Sequence, residues 1–218
     1  MSHDVAERLL RLDTCAVSDA CDRLGIRAVP EGLHALWGTP KIAGRVVTVK
    51  LRASAGEKST RHLNTAAVEA AVKGDAIVVD AGGRTDAAGW GGLLALAATL
   101  KGVAGVVVDG VCRDIDEARE YGFPLFALGT TPQTARGRII EESYNQPIEV
   151  RGVAVYPGDY VLADGSGVVI VPTKHVEEIL EIAEQIAARE AAMANEVRQG
   201  RSIVEVMGAQ YEQMVEKG

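Results

Sequence analysis

Aromatic side chains are scarce in this chain: they make up 4% of its 218 residues, with two Phe and two Trp. A core built on stacked rings is excluded, and abundant Ala, Val and Gly point to small and β-branched packing instead. Cysteine is also sparse. Cys15, Cys21 and Cys112 form no C-x-x-C pair and no zinc spacing, which excludes a disulfide scaffold and a zinc finger. Three thiols without a framework fit a reducing compartment. No Lys/Arg cluster interrupts a formal net charge of −7, so nucleic acid is not an expected partner. No apolar run approaches the roughly 20 residues of a membrane span. The opening MSHDVAERLLRLD reads as an amphipathic polar helix rather than a signal sequence. The expectation is a cytoplasmic protein with no membrane partner.

What remains is ordinary globular composition, 47% hydrophobic and 24% charged. The length suits a single domain over residues 1–218: N-terminal helices in 1–30, an α/β core in 40–172 and C-terminal helices in 173–218. Helices are expected over Val5–Leu12 and Thr14–Leu24, with Thr14 as the N-cap, Gly25 as the stop and Asp19 on the polar side. From Gly44 onward strands and helices alternate. The expected order is strand Arg45–Leu51, helix His62–Lys73, strand Ala76–Asp80, a Gly-rich loop Ala81–Gly92, helix Leu93–Lys101, strand Val103–Asp109, helix Asp114–Tyr121 and strand Pro124–Leu128. Strands Ile148–Tyr156, Asp159–Ala163 and Gly167–Pro172 then read as an antiparallel meander. Helices from Thr173 to about Gln199 and from Ser202 to about Val215 close the chain. The fold class is therefore α/β, with mixed sheets and flanking helices at both ends.

Chemistry concentrates in Gly89-Trp-Gly-Gly-Leu-Leu-Ala95 and Asp109-Gly-Val-Cys-Arg-Asp114. The glycines let amides at a helix start approach a carboxylate or phosphate, which the free N–H groups and helix dipole favour. Arg113 can grip a carboxylate or a developing enolate, and Asp114 can hold a hard divalent cation with water and substrate completing the shell. A second reading stands beside this one: Asp114 and Glu117 have the spacing of a capping box. The match to a dinucleotide fingerprint is weak, because Leu94 stands where a third glycine is wanted. Glu190 falls on the apolar stripe of Val176, Ile179, Leu180, Ala183 and Ala187. It can pair with a buried Arg, project beyond the core or reach a site. Thr60-Arg61-His62 and Gly83-Arg84-Thr85-Asp86 are polar clusters that read equally as solvated loops or as site walls, and His62 alone does not make a zinc site.

At Arg113-Asp-x-x-Glu117 the chain resembles the family that includes class II 4-hydroxy-4-methyl-2-oxoglutarate/4-carboxy-4-hydroxy-2-oxoadipate aldolases and the regulator of ribonuclease E activity A. Gly91-Gly-Leu-Leu-Ala95, Gly105-Val-Val-Val-Asp-Gly110 and Pro157-Gly-Asp-x-Val-x-Ala-Asp164 carry the likeness in order, from Val17 to the C-terminal helix. The resemblance implies a β/β/α swivelling-domain fold and a homo-oligomer, a trimer or hexamer, with sites between subunits. It implies that Asp114 contacts Mg²⁺ or Mn²⁺, that Arg113 binds the pyruvyl part of a small 2-oxo acid, and that amides of Gly91, Gly92, Leu93 and Leu94 hold its carboxylate. Glu190 and Asp19 match acids that a neighbouring subunit contributes. The implied activity is carbon–carbon lyase chemistry releasing pyruvate, by aldol cleavage or by decarboxylation as of oxaloacetate; the rival is a non-catalytic regulator that binds a ribonuclease or helicase. Methyl transfer to a quinone finds no adenosylmethionine-binding motif here. Many members carry an acid twenty-one positions before the arginine, where this chain has Gly92. Asp86 is the expected substitute as a metal-site carboxylate, and Arg61 and His62 are expected to face a second anionic group on the substrate.

Overall fold

A computed structural model describes residues 2–57 and 61–208. Two helices lead, α1 (Ser2–Arg11) and α2 (Thr14–Arg23). The cap of α2 is Asp13 rather than Thr14: the Asp13 carboxylate accepts from Ala16 N–H at 2.8 Å. The strands are β1 (His34–Ala35), β2 (Ile42–Ala53), β3 (Ala76–Trp90), β4 (Gly105–Cys112), β5 (Leu125–Thr130), β6 (Ile139–Tyr144), β7 (Ile148–Val150), β8 (Val153–Val155), β9 (Tyr160–Asp164) and β10 (Gly167–Val171). Between them lie α3 (Thr65–Ala70), α4 (Gly92–Lys101) and α5 (Ile115–Glu120), with α6 (Val176–Arg198) and α7 (Ile203–Val206) after the last strand.

One sheet runs β1-β5-β4-β3-β2-β9-β10, with β6 also on β2. The β2-β3-β4-β5 stretch is parallel, whereas β9, β10, β6 and β1 pair antiparallel. The mixed sheet with flanking helices is the architecture expected. Its parallel strands are buried on both faces, which explains their near-continuous apolar runs. Val47, Val49, Ile77, Val79, Val106 and Val108 pack toward α3, α4 and α5. Val46, Val78, Val107 and Phe126 face the opposite way, onto the β7–β8 hairpin and the inner sides of β9 and β10. A third cluster seats α1, α2 and α6 on β9 and β10 through Leu9, Val17, Leu162, Val171, Ile179 and Leu180. Gly44 lies where β2 crosses the turn before β3, and a Cβ there would come 2.4 Å from Gly74 O. Among the described residues, no helix is long and apolar enough to cross a membrane.

Several expected boundaries moved for local reasons. The stretch Ala81–Gly92, expected as a loop, continues β3 to Trp90, with register breaks between Asp80 and Arg84, Arg84 and Ala88, and Ala88 and Trp90. Left-handed Gly82 and Gly83 throw the chain outward and let Ala88 and Trp90 rejoin β4 beside Val111 and Cys112. Helix α3 is shorter than His62–Lys73: left-handed Asn64 delays its start, and extended Ala71 ends it. Ile148–Tyr156 is a hairpin and not one strand, because Arg151 and Gly152 both take positive φ and Val150 pairs Val153. Of the last expected helix, Ile203–Val206 is helical, and residues 209–215 lie outside the described residues.

The Asp residues of the Pro157–Asp164 motif are clasps. Asp159 accepts from Tyr156 N–H and Thr173 N–H, both at 2.9 Å, and so ties the turn before β9 to the chain beyond β10. Asp164 accepts from Thr14 N–H at 2.9 Å, Thr14 Oγ1 at 2.7 Å and Ser166 N–H at 2.9 Å, which fastens α2 to the β9–β10 turn. Burial pushes the Asp164 pKa up, but the bonds from Thr14 and Ser166 outweigh it and leave the carboxyl below its ordinary range. That contribution to stability is present above the ordinary Asp pKa and is lost as pH falls through the lowered value. Asp164→Ala should therefore cost about 1–3 kcal/mol in urea unfolding at neutral pH. The gap from the parent should narrow below about pH 4; an unchanged gap there would count against the clasp.

Candidate functional site

The C-terminal ends of β3 and β4 meet the start of α4. Arg113 N–H donates to Trp90 O at 3.0 Å, so the residues following β4 stay beside those following β3. The next residue, Asp114, takes φ 57 and ψ 43, a left-handed conformation that is uncommon for a non-glycine residue. Its side chain makes no capping bond to α5, so the capping-box reading is corrected. The carboxylate turns to the other helix instead: Asp114 Oδ2 accepts from Gly92 N–H at 2.9 Å and Arg113 Nε at 3.0 Å. Glycine is needed opposite it, since a Cβ on Gly91 would come 2.9 Å from that same oxygen. Gly91 caps α4 in an extended conformation, and the amides of Gly92, Leu93 and Leu94 precede the first intrahelical bond, Ala95 N–H to Gly91 O at 3.1 Å.

A cavity of about 790 Å³ opens over this junction. Gly91, Gly92, Leu93, Leu94, Arg113 and Asp114 form one wall, and Arg61 and His62 stand in another. Arg61 pairs with Glu141 and lies over the Tyr144 ring, 5.0 Å from its centroid. His62 Nδ1 lies 3.2 Å from Leu63 O. Arg136 and Asn64 are among the wall residues that carry no signal in the sequence. Arg136 comes from the segment before β6, which carried no recognised motif. Asn64 is fully buried, donates from Nδ2 to Gly89 O at 2.8 Å, and has no partner for Oδ1 among the described residues. It braces the approach to Gly91, a role that spacing along the chain cannot reveal.

Three predicted residues lie elsewhere. Asp86 is not in the cavity wall; its Oδ2 accepts from Arg84 at 2.6 Å on β3. Asp19 stands on α2 and Glu190 on α6, which pack together, and Glu190 feels the charges of Asp13 and Asp19. Burial, then the charges of Asp13 and Asp19, push the Glu190 pKa up. Burial, then Asp22 and Asp13, do the same for Asp19. Thr60 lies outside the described residues. The buried thiols of Cys21 and Cys112 are pushed up by desolvation, which leaves them poor nucleophiles.

Among the described residues, no three His, Cys, Asp or Glu side chains converge as a ready cation cage. Asp114 keeps Oδ1 free of hydrogen bonds within the described residues while Oδ2 is committed. One exposed carboxylate oxygen beside open space fits a hard cation that retains most of its water, such as Mg²⁺ or Mn²⁺, and not a closed zinc centre.

The fold and junction define an α/β protein whose cavity sits at the carboxyl ends of parallel strands, against a helix start and an Arg–Asp pair. Residues 14–170 match the RraA-like family, described as Aldolase/RraA, and the chain belongs to that family. A protein of Halalkalibacterium halodurans, provisionally named 4-hydroxy-4-methyl-2-oxoglutarate aldolase, is 32% identical over 212 residues, covering 94% of this chain and 95% of the relative. Protein DlpA of Legionella pneumophila is 25% identical over 200 residues, and 92% of this chain spans only 32% of DlpA's length. The crystal structure of Streptomyces coelicolor RraAS2, described as an unusual member of the RNase ES inhibitor RraA family, aligns with a TM-score of 0.80 at 29% identity, covering 92% of this chain and 98% of that one.

The acid group on α2 and α6 has a pH signature. A carboxyl with a raised folded-state pKa favours folding below its ordinary pKa, and that contribution is lost as pH rises through the raised value. Glu190→Gln should thus melt higher than the parent at neutral pH, and the gain should vanish below about pH 4. Equal melting curves at neutral pH would show that the three acids do not repel.

Proposed function

We propose that the chain is a carbon–carbon lyase that takes a small 2-oxo acid and releases pyruvate, with Mg²⁺ or Mn²⁺ held by Asp114. The observation that carries this reading is the left-handed Asp114, clasped to the start of α4 beside Arg113 inside the cavity. A strained residue held at the edge of a cavity marks function more often than packing. The amides of Leu93 and Leu94 receive the substrate carboxylate, aided by the dipole of α4. The Arg113 guanidinium lies next to the carbonyl end and stabilises negative charge as it develops on the 2-oxo oxygen. Bound at Asp114, the cation supplies Lewis-acid polarisation of that carbonyl. In aldol cleavage a base removes the 4-hydroxyl proton, the C3–C4 electrons pass into the enolate, and C3 takes up a proton to give pyruvate. In decarboxylation the bond to the departing CO₂ supplies the electrons.

The reaction also needs a proton carrier. We assign it to Glu190 and Asp19 of a neighbouring copy in a trimer or hexamer. Their raised pKa values suit proton transfer. Leu93 and Leu100, seven residues apart on α4 and each 80% exposed, offer an apolar stripe for such a neighbour. The relative RraAS2 supports a second reading, a regulator that binds a ribonuclease, for which Arg113 need not touch a small molecule.

Pyruvate release from oxaloacetate and 4-hydroxy-4-methyl-2-oxoglutarate, followed through lactate dehydrogenase with Mg²⁺, Mn²⁺ or EDTA, separates the two readings. The lyase predicts metal-dependent release that falls about 10²–10³-fold in Arg113→Ala. Release from neither substrate with any metal would favour the regulator. Mixing inactive Arg113→Ala and Glu190→Ala chains should recover part of the activity if sites are shared between copies; no recovery in co-assembled oligomers would place both residues' roles within one chain.

A further inference from the structure

The cavity is longer than the acids named above need. It begins at Arg113 and Asp114, beyond β4, and passes the ends of β3 and β2 to reach Ile139 and Ile140 of β6. Adjacent strands lie about 4.8 Å apart, so the three steps from β4 to β6 span about 14 Å. A four-carbon 2-oxo acid, with three carbon–carbon bonds of about 1.5 Å, covers less than about 5 Å of this. One side wall is the connection between β5 and β6, which is pinned to three strand ends in turn. Thr131 N–H donates to Cys112 O at 2.9 Å, Ala88 N–H to Gln133 O at 3.2 Å and Ser54 N–H to Arg138 O at 2.8 Å. Between its ends the cavity is predominantly apolar, lined by Leu63, Ala88, Trp90, Ala135, Ile139 and Ile140. The charges near β6 are already answered: Arg61 pairs with Glu141, whose side chain is 2% exposed, and Glu57 pairs with Arg52 at 2.6 Å. Arg136 stands exposed to water. A second carboxylate at this end would meet only a solvated arginine or would have to displace Glu141. An apolar group would gain by leaving water for these walls.

We propose that the substrate of this site is a 2-oxo acid with a bulky apolar group, such as an aryl ring, on C4. Ala135 and the Ile139–Ile140 pair set that preference. The proposal rests on the lyase reading above and names its substrate class. The carboxylate and 2-oxo group lie at the start of α4 and at Arg113, and the apolar group extends past Trp90 toward β6. Cleavage then balances in the same way. The 4-hydroxyl loses its proton to a base and the C3–C4 electron pair passes into the enolate. C4 becomes the carbonyl carbon of an apolar aldehyde, and C3 takes up a proton as pyruvate forms.

Two probes with one head and different tails test this without turnover. On C4, 2-oxo-4-phenylbutanoate carries a phenyl ring and 2-oxoglutarate a carboxylate, and neither has the 4-hydroxyl that cleavage requires. Calorimetry on the full chain with Mg²⁺ should give a Kd about tenfold lower, or better, for the phenyl probe, as burial of most of one aromatic ring provides. Ala135→Asp, which sets a charge in the apolar length, should shrink that ratio to about threefold or less. The comparison on the parent decides the matter whether or not that variant folds. Equal binding, or tighter binding of 2-oxoglutarate, would overturn the proposal, and the latter would assign the far end to a second carboxylate. Turnover is read separately, as pyruvate release from 4-hydroxy-2-oxo-4-phenylbutanoate and from 4-hydroxy-4-methyl-2-oxoglutarate. The expected kcat/KM is about tenfold higher for the aryl acid. Release from the second acid alone leaves the lyase standing and overturns the apolar tail. Release from neither removes the lyase reading and the proposal with it.

Discussion

A single carboxylate oxygen organises the cavity floor. Asp114 Oδ2 accepts from the first amide of α4 and from the neighbouring Arg113, so one atom fixes a helix start, an arginine and the exit of β4 together. Its geometry depends on a left-handed backbone, which costs on the order of 1–3 kcal/mol for a residue that is not glycine. Charge-assisted bonds from an amide and a guanidinium offset that cost and point the arginine stem along the cavity wall. The glycines opposite exist for the same contact. At Gly91 a Cβ would press on the oxygen itself, and at Gly92 it would press on Glu117.

Much of this was legible because it is local. Arg113, Asp114 and Gly91 to Leu94 lie in two short segments at the ends of elements, and strands β3 and β4 bring those ends together as parallel neighbours. The paired apolar faces of Val46 to Val49 and Ile77 to Val79 likewise announce buried parallel strands. What stayed hidden depends on backbone handedness or on distant contacts. Asp114 and Glu117 have capping-box spacing, yet the φ of Asp114 turns both carboxylates to α4, which spacing cannot encode. Asn64 reaches Gly89 across twenty-five residues, and Arg136 arrives from a segment with no periodic pattern. The Gly-rich stretch looked like loop because Gly82 and Gly83 break the alternation, although the strand resumes beyond them.

Charge is divided unevenly over the molecule. The cavity wall sets Arg61, Arg113 and Arg136 against Glu57 and Asp114, with Glu141 answering Arg61. The α2–α6 junction gathers Asp13, Asp19 and Glu190, whose mutual repulsion is felt by Glu190. Arg8 of α1 pairs instead with Glu177 and Glu184 of α6.

The scarcity of aromatic residues has an optical consequence. The chain has two tryptophans, and both converge on Phe123 just beyond α5: the Trp90 ring stacks on it with centroids 6.0 Å apart, and Trp37 Nε1 donates to its carbonyl at 3.0 Å. Trp90 is also a buried wall of the cavity, and its indole nitrogen has no partner among the described residues. Tryptophan emission, excited to the red of the five tyrosines, is therefore a local signal rather than an average over the molecule. Trp90 lines the cavity, so its emission carries information about what enters, with no label attached.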